Sequence, residues 1–253
     1  MSLVDRLLDP FSRMVIAHRG NRAHAAENTI ESLQQAVDLG ADAIEFDVRV
    51  TRDGVPVVMH DPDVDRTTDG RGLVESFTFA EIRKLDAGAR LHGPGTSPLP
   101  VPSLEEVFDR FRTLPFVIEV KELAAVEATE QLIAKFAAED RVVVGSAETT
   151  VMQRFYGTKL RTCASMRDAT MLIPVALAGL KPAKPSYDIL SVTPRFRGFR
   201  IPVLRMAAAA RKLGIATQVW TVNDPESARA YWLGGVAGIV TDDPGAILRA
   251  RAQ

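Results

Sequence analysis

What this sequence lacks narrows it first. It has one cysteine, Cys163, in 253 residues, so no intramolecular disulfide can form. That thiol lies in the apolar run 160–164 and reads as a buried core position. Neither charge is in excess: 31 basic and 32 acidic residues leave a net charge of −1, so no global basic surplus argues for nucleic acid or an anionic membrane. Long apolar runs are missing as well. The longest, 171–180, is interrupted by Pro174 and ends at Lys181-Pro182, too short and broken to span a bilayer. The first thirteen residues carry Asp5, Asp9 and Pro10 and lack the apolar centre of a secretory signal. A soluble cytoplasmic protein without stable membrane insertion is expected, and a homodimer is an assembly the sequence allows.

Histidine is scarce, with four in the chain, yet two of them, His18 and His60, stand near the two ends of one crowded stretch, residues 14–61, with His24 in the loop between. It opens with Ile16-Ala17-His18-Arg19-Gly20 and closes with Val58-Met59-His60-Asp61; Glu27-Asn28-Thr29 and Glu45-Phe46-Asp47 lie between. The apolar runs 14–17 and 43–48 read as buried strands. Glu45 and Asp47 are two apart, so on a strand they share a face with β-carbons roughly 6–7 Å apart. Carboxylates that close repel unless a cation sits between them, and oxygen-only ligation suits a hard ion such as magnesium or calcium. Two histidines beside such a pair suit paired proton transfer. Asn28 or Thr29 caps a helix running to residue 39, and the strand 55–58, turned by Asp53-Gly54, returns His60 toward the carboxylates.

The rest of the chain alternates strand and helix. Strand-like runs lie at 116–120, 142–145, 160–164, 188–192, 216–222 and 237–240. Helical patterns occupy 103–111, 124–136, 149–156, 167–180, 202–213, 225–232 and 244–250, the last two each opening on proline after aspartate. Counting the first two units gives eight, which at this length favours a closed (β/α)8 TIM barrel. Functional groups on such a barrel sit at the carboxyl ends of strands, and His18, Glu45, Asp47, Glu119, Lys121, Ser146, Trp220 and Asp242 all fall there. His24 and His92 read as surface residues.

Taken in order, His18-Arg19-Gly20, Glu27-Asn28-Thr29, Glu45-x-Asp47, Thr51-x-Asp53-Gly54 and His60-Asp61 resemble the glycerophosphodiester phosphodiesterase family, in its short cytoplasmic bacterial form. Thr67-Thr68-Asp69-Gly70, Trp220-Thr221-Val222-Asn223 and the closing segment 238–244 extend the resemblance from Val15 to Pro244, most thinly over 147–211. It implies a single catalytic domain over 1–253, with a short insertion at roughly 72–98 after the strand pair of the second unit. It implies metal-dependent hydrolysis of small-molecule glycerophosphodiesters to glycerol 3-phosphate and an alcohol. One divalent cation, magnesium or calcium, would be held by Glu45, Asp47 and Glu119. His18 would act as base and His60 as acid, the reverse staying open. Arg19 and Lys121 would bind the phosphate, Trp220 would wall the glycerol carbons, and Glu27 and Asn28 would support the site.

Blander roles exist for several of these residues. Asn28 serves equally as a helix cap, Glu119 and Lys121 as a rim salt bridge, and Trp220 as rim packing. The attacking oxygen is either the glycerol 2-hydroxyl or water. Two departures from the family pattern are Ala26, where proline is common, and Ala147, where an aromatic is usual. The cluster Arg195-Phe196-Arg197-Gly198-Phe199-Arg200 reads as an arginine-lined rim selecting an anionic headgroup. Rival functions are a lipid-acting phosphodiesterase of lysophospholipase D type, for which Phe196 and Phe199 are the only exposed apolar candidates, and a non-catalytic phosphate-binding barrel, which would have no need of two histidines. A metal-dependent amidohydrolase would show His-x-His where this chain has His18-Arg19-Gly20.

Overall fold

A computed structural model describes residues 3–91 and 97–252; His92 and part of the expected insertion lie outside the described residues. The chain runs through α1 (Leu3–Leu8), β1 (Met14–His18), α2 (Ile30–Asp38), β2 (Ala43–Val50), β3 (Pro56–Val58), α3 (Phe79–Ile82), α4 (Leu104–Arg110), β4 (Phe116–Val120) and α5 (Val126–Lys135). It continues with β5 (Val142–Gly145), α6 (Thr149–Phe155), β6 (Arg161–Thr162), α7 (Met166–Leu177), β7 (Ile189–Val192), β8 (Arg195–Phe196) and β9 (Phe199–Arg200). It ends with α8 (Val203–Arg211), β10 (Ala216–Val219), α9 (Pro225–Leu233), β11 (Gly238–Thr241) and α10 (Pro244–Arg251).

Eight strands run parallel in the order β6-β5-β4-β2-β1-β11-β10-β7, and β3 lies antiparallel on the far end of β2. A parallel bridge between Cys163 and Ile189, flanked by the Ala164 N–H to Ile189 O and Asp188 N–H to Thr162 O bonds, joins the two outer strands. The result is a nearly closed (β/α)8 barrel with helices between strands, as the repeating pattern leads one to expect.

The two-residue period of each strand sorts its side chains. Ile16, Ala43, Val117, Val143, Cys163, Ile189 and Val240 pack together inside the barrel. Their neighbours one residue away, such as Ala17, Ile44, Phe116, Ile118 and Val144, pack outward against the helices. Burial raises the Cys163 thiol to about 12, which makes it an inert core group. Following the inward set upward in steps of two residues reaches His18, then Glu45 and Asp47, and then Glu119 and, just past β4, Lys121. The strand pattern that fills the core therefore also builds the rim.

Residues 1–13 carried no expected element, but α1 forms there and turns Val4 and Leu7 into the inner cluster, closing the lower end of the barrel. A helix of six residues is marginal alone, so only this packing sustains it. The segment between β3 and α4 builds a small core against Val57 of β3: Met59, Val64, Val74, Ile82, Ala87 and Val101. Pro174 lies within α7, and no helix among the described residues is long and apolar enough to cross a membrane.

Arg141 ties the connection from α4 to β4. It is 6 % exposed, with Nη1 donating to Phe111 O at 2.9 Å and Leu114 O at 3.3 Å. Its guanidinium lies 5.1 Å from the ring centroids of both Phe108 and Phe116. Replacing it by methionine leaves both carbonyls without that donor. Arg141→Met should cost about 2–3 kcal/mol and lower the thermal midpoint by several degrees. A midpoint equal to wild type would show that the arginine holds nothing.

Candidate active site

Strand spacing sets the centre. Glu45 and Asp47 on β2 and Glu119 on β4 each offer an oxygen within 4.8 Å of the other two. The register of β2 with β4 places Asp47 directly beside Glu119, and that of β1 with β2 places His18 beside Glu45. Lys121 joins the group, with Nζ 2.8 Å from Asp47 and 2.7 Å from Glu119. Arg19 brings Nε to 3.0 Å from Asp47 Oδ2, and Asn28 Nδ2 donates to the same oxygen at 3.0 Å.

Environment separates the two buried carboxylates. Burial raises Glu45, and the charge of Asp47 raises it further. Asp47 meets the same burial, but Lys121 and Arg19 overcome it and hold its carboxyl below the usual range. Even so, Glu45 Oε2 and Asp47 Oδ1 have no aligned hydrogen bond, although Lys121 lies close to the latter. Buried anionic oxygens left this way are costly, and a cation among the three carboxylates would satisfy them. The donor set therefore fits a hard divalent ion.

Each catalytic-candidate histidine has its own carboxylate. His18 Nδ1 hydrogen-bonds Asp242 Oδ1 at 2.6 Å, and its Nε2 stands 3.9 Å from Glu45. His60 Nδ1 hydrogen-bonds Asp61 Oδ1 at 2.6 Å. Because an ionised carboxylate only accepts, Nδ1 carries the proton in both rings and Nε2 is the nitrogen left for chemistry. Burial lowers the proton affinity of His60, against the pull of Asp47 and Asp61. Asp242 is also held down: burial would raise it, but bonds from His18, Asn223 and Arg22 prevail.

The loop after β1 is held by Glu27. Its oxygens accept from Arg19 at 2.8 Å, Arg22 at 2.8 Å and Arg66 at 2.7 and 3.0 Å. Arg19 and Asn28 both take left-handed backbone conformations, with φ of 55° and 59°, and their peptides are tied by the Asn28 N–H to Arg19 O bond. Such strain persists where the surroundings fix it, as three guanidiniums do here. Gly20 follows at φ 89°, where a Cβ would lie 2.4 Å from Ser32 Oγ, so only glycine lets the loop rest on α2.

The structure thus gathers His18, Arg19, Glu45, Asp47, Glu119 and Lys121, with Glu27 and Asn28 behind them. Asn28 reaches Asp47, while Thr29 caps α2 by accepting from the Ser32 N–H. Trp220 stands on the same rim, 38% exposed, with its backbone N–H donating to Val192 O. His24 is exposed and lies 3.4 Å from Asp243. Four partners had no role assigned from sequence: Asp61, Asp242, Arg22 and Arg66. Asp61 carried a signal, since it follows His60 directly. Arg22 and Arg66 carried none, because their convergence on Glu27 depends on the fold.

The matches to known proteins agree with this geometry. Residues 18–246 match the model of the glycerophosphoryl diester phosphodiesterase family. A glycerophosphodiester phosphodiesterase from Caldanaerobacter subterraneus is 32% identical over 249 residues, covering 91% of this chain and 94% of its own. One from Bacillus subtilis is 31% identical over 258 residues, covering 94% and 86%. The crystal structure of a glycerophosphodiester phosphodiesterase from Agrobacterium tumefaciens superposes with a TM-score of 0.77 at 27% identity, covering 92% of this chain and 98% of that one. Together with the barrel and its acidic rim, these matches show that the chain belongs to the glycerophosphoryl diester phosphodiesterase family.

Proposed function

We propose that this chain is one catalytic domain, with a short insertion at roughly 72–98, and that it hydrolyses glycerophosphodiesters to glycerol 3-phosphate and the free alcohol. The observation that carries it is the trio Glu45, Asp47 and Glu119 beside two histidines, each with Nδ1 fixed by a carboxylate. Oxygens within 4.8 Å of one another suit an ion with metal–oxygen bonds of about 2.0–2.6 Å, the range that covers magnesium and calcium. Such an ion supplies Lewis-acid charge to a phosphate oxygen when bound. A phosphodiesterase from Oleispira antarctica, 22% identical, has been solved with its product sn-glycerol-3-phosphate, a compound of the kind we assign here. A cytoplasmic setting accords with the single buried Cys163.

The residues divide the work by charge and proton affinity. Arg19 and Lys121 turn a site of three carboxylates toward the phosphodiester anion, and their charge stabilises the negative charge that grows on phosphate. His18, oriented by Asp242, takes the proton of the attacking oxygen at Nε2. His60, once protonated at Nε2 as well as Nδ1, gives the Nε2 proton to the leaving alkoxide and returns to the neutral ring that its burial favours. Trp220 walls the glycerol carbons, and Asn28 and Glu27 keep Asp47 and Arg19 in place.

Glycerol 3-phosphate release from glycerophosphocholine and its ethanolamine, glycerol and inositol relatives tests the reaction. It should require magnesium or calcium, stop with chelator, and fall on the order of 10³-fold in His18→Ala. Full turnover by His18→Ala would remove the histidine pair from the mechanism. No release from any of the four diesters by intact protein would remove the substrate class.

Asp242→Asn frees the His18 ring to take the other tautomer. It should lower kcat by about 10²-fold or more with little change in KM. A loss confined to KM would mean that Asp242 contacts substrate instead.

Glu27 makes acid stability a test of the loop. Burial works to raise its carboxyl, yet Arg66, Arg19 and Arg22 hold it well below the usual range. A carboxyl depressed in the folded state stabilises the fold above its unfolded value, near 4.5, and that contribution is lost as pH falls through the folded value. Thermal midpoints of wild type should therefore drop more steeply below about pH 5 than those of Glu27→Gln. Parallel curves would contradict the assignment.

A further inference from the structure

The six residues from Arg195 to Arg200 take no part in the site described above, and they form an ordered ribbon. β8 and β9 pair antiparallel, Arg195 opposite Arg200 and Phe196 opposite Phe199. The turn between them, Arg197-Gly198, has φ of 48° and 86°, the signs a two-residue hairpin of right-handed twist requires. A bond from the Ile201 N–H to Pro194 O fastens its base.

Directly opposed residues in such a pair share a face, and successive residues point to opposite faces. One face of the ribbon therefore carries Phe196 and Phe199, the other Arg195 and Arg200. Phe199 is 76% exposed and Phe196 37%. Arg197 lies over the Phe196 ring at 5.4 Å. Among the described residues no carboxylate makes an ion pair with Arg195, Arg197 or Arg200. Two arginines held directly opposite repel each other, and the pairing of the two phenylalanines still leaves most of Phe199 in water. Sequence and backbone thus maintain an arrangement that is unfavourable in water and favourable at a boundary that is apolar beneath and anionic above.

Position adds a direction. Around the eight-stranded ring β7 lies four strands from β2 both ways, so the hairpin rises from the rim across the mouth from Glu45 and Asp47. The partly exposed Trp220 stands beside its root, at the Val192 end of β7.

We propose that the Arg195–Arg200 hairpin is a reversible docking element for anionic lipid bilayers. Phe196 and Phe199 enter the headgroup boundary, and the three arginines take the lipid phosphates. A soluble anionic headgroup would engage the arginine face and leave the phenylalanine face in water, which is why the bilayer is the better fit. The charge balance of the whole chain, −1, makes the attraction local, so it carries the barrel mouth toward the surface rather than coating the protein with lipid. Binding here is independent of the reaction assigned above, and vesicle binding measures it without turnover.

The test is cosedimentation of the purified chain with phosphatidylcholine vesicles, with and without phosphatidylglycerol, at low and high salt. Wild type should bind vesicles containing phosphatidylglycerol and release them at high salt. Each arginine near an anionic surface contributes roughly fivefold, so the triple variant Arg195→Gln, Arg197→Gln, Arg200→Gln should bind on the order of 100-fold more weakly. Phe196→Ser with Phe199→Ser should also lose binding, and addition of vesicles should blue-shift Trp220 fluorescence in wild type alone. Both variants should keep the wild-type thermal midpoint, because the hairpin lies outside the core. Equal binding to both vesicle types, or vesicle binding by the triple variant equal to wild type, would overturn the proposal. So would a triple variant whose only defect is a raised KM for anionic diesters, which would make the hairpin a headgroup clamp.

Discussion

The burial of Asp47 is the constraint on which the rest of this molecule depends. A carboxylate wholly removed from water persists as an anion only if cations and donors surround it, and Lys121 at the end of β4 does so together with Arg19 and Asn28 of the loop after β1. Each recruit needs support in turn. Arg19 and Asn28 sit in left-handed conformations that the Glu27 cluster fixes, and Glu27 draws Arg66 from the segment beyond β3. The loop after β1 and the segment between β3 and α4 are thereby locked together by the requirements of one buried charge.

The same constraint separates functions among like residues. Of two carboxylates two residues apart, the one that gains Lys121 and Arg19 stays ionised and the one facing burial and its neighbour's charge is raised. Both histidines are oriented through Nδ1, and burial lowers the proton affinity of His60 below that of a free imidazole. Difference in environment, rather than in residue type, is what sets apart the members of a symmetric inventory.

Much of this was legible from spacing. The two-residue steps Glu45 to Asp47 and Glu119 to Lys121 on apolar strands required that each pair share a face, and the eightfold repeat required that those faces meet inside a barrel. Local ambiguity was settled by the fold: Thr29 took the helix cap, which left Asn28 for Asp47. What sequence could not show were pairings made by closure. Asp242 is 224 residues from His18 and becomes its neighbour only because β11 lies against β1. The helix α1 is too short to declare itself, since its stability comes from the barrel end it covers. The hairpin of β8 and β9 turns on Arg197-Gly198, whose first residue is not a usual one for positive φ, so its pairing was hidden behind a run read as a basic and aromatic cluster.

The most direct test of the central claim, that Glu45, Asp47 and Glu119 form one cation site, is calorimetric titration of the metal-free protein with magnesium and with calcium. One ion should bind per chain, with a dissociation constant on the order of 10⁻⁵–10⁻³ M for calcium, and Asp47→Asn should abolish the heat. Binding that survives in Asp47→Asn, or no binding of either ion at millimolar concentration, would contradict it.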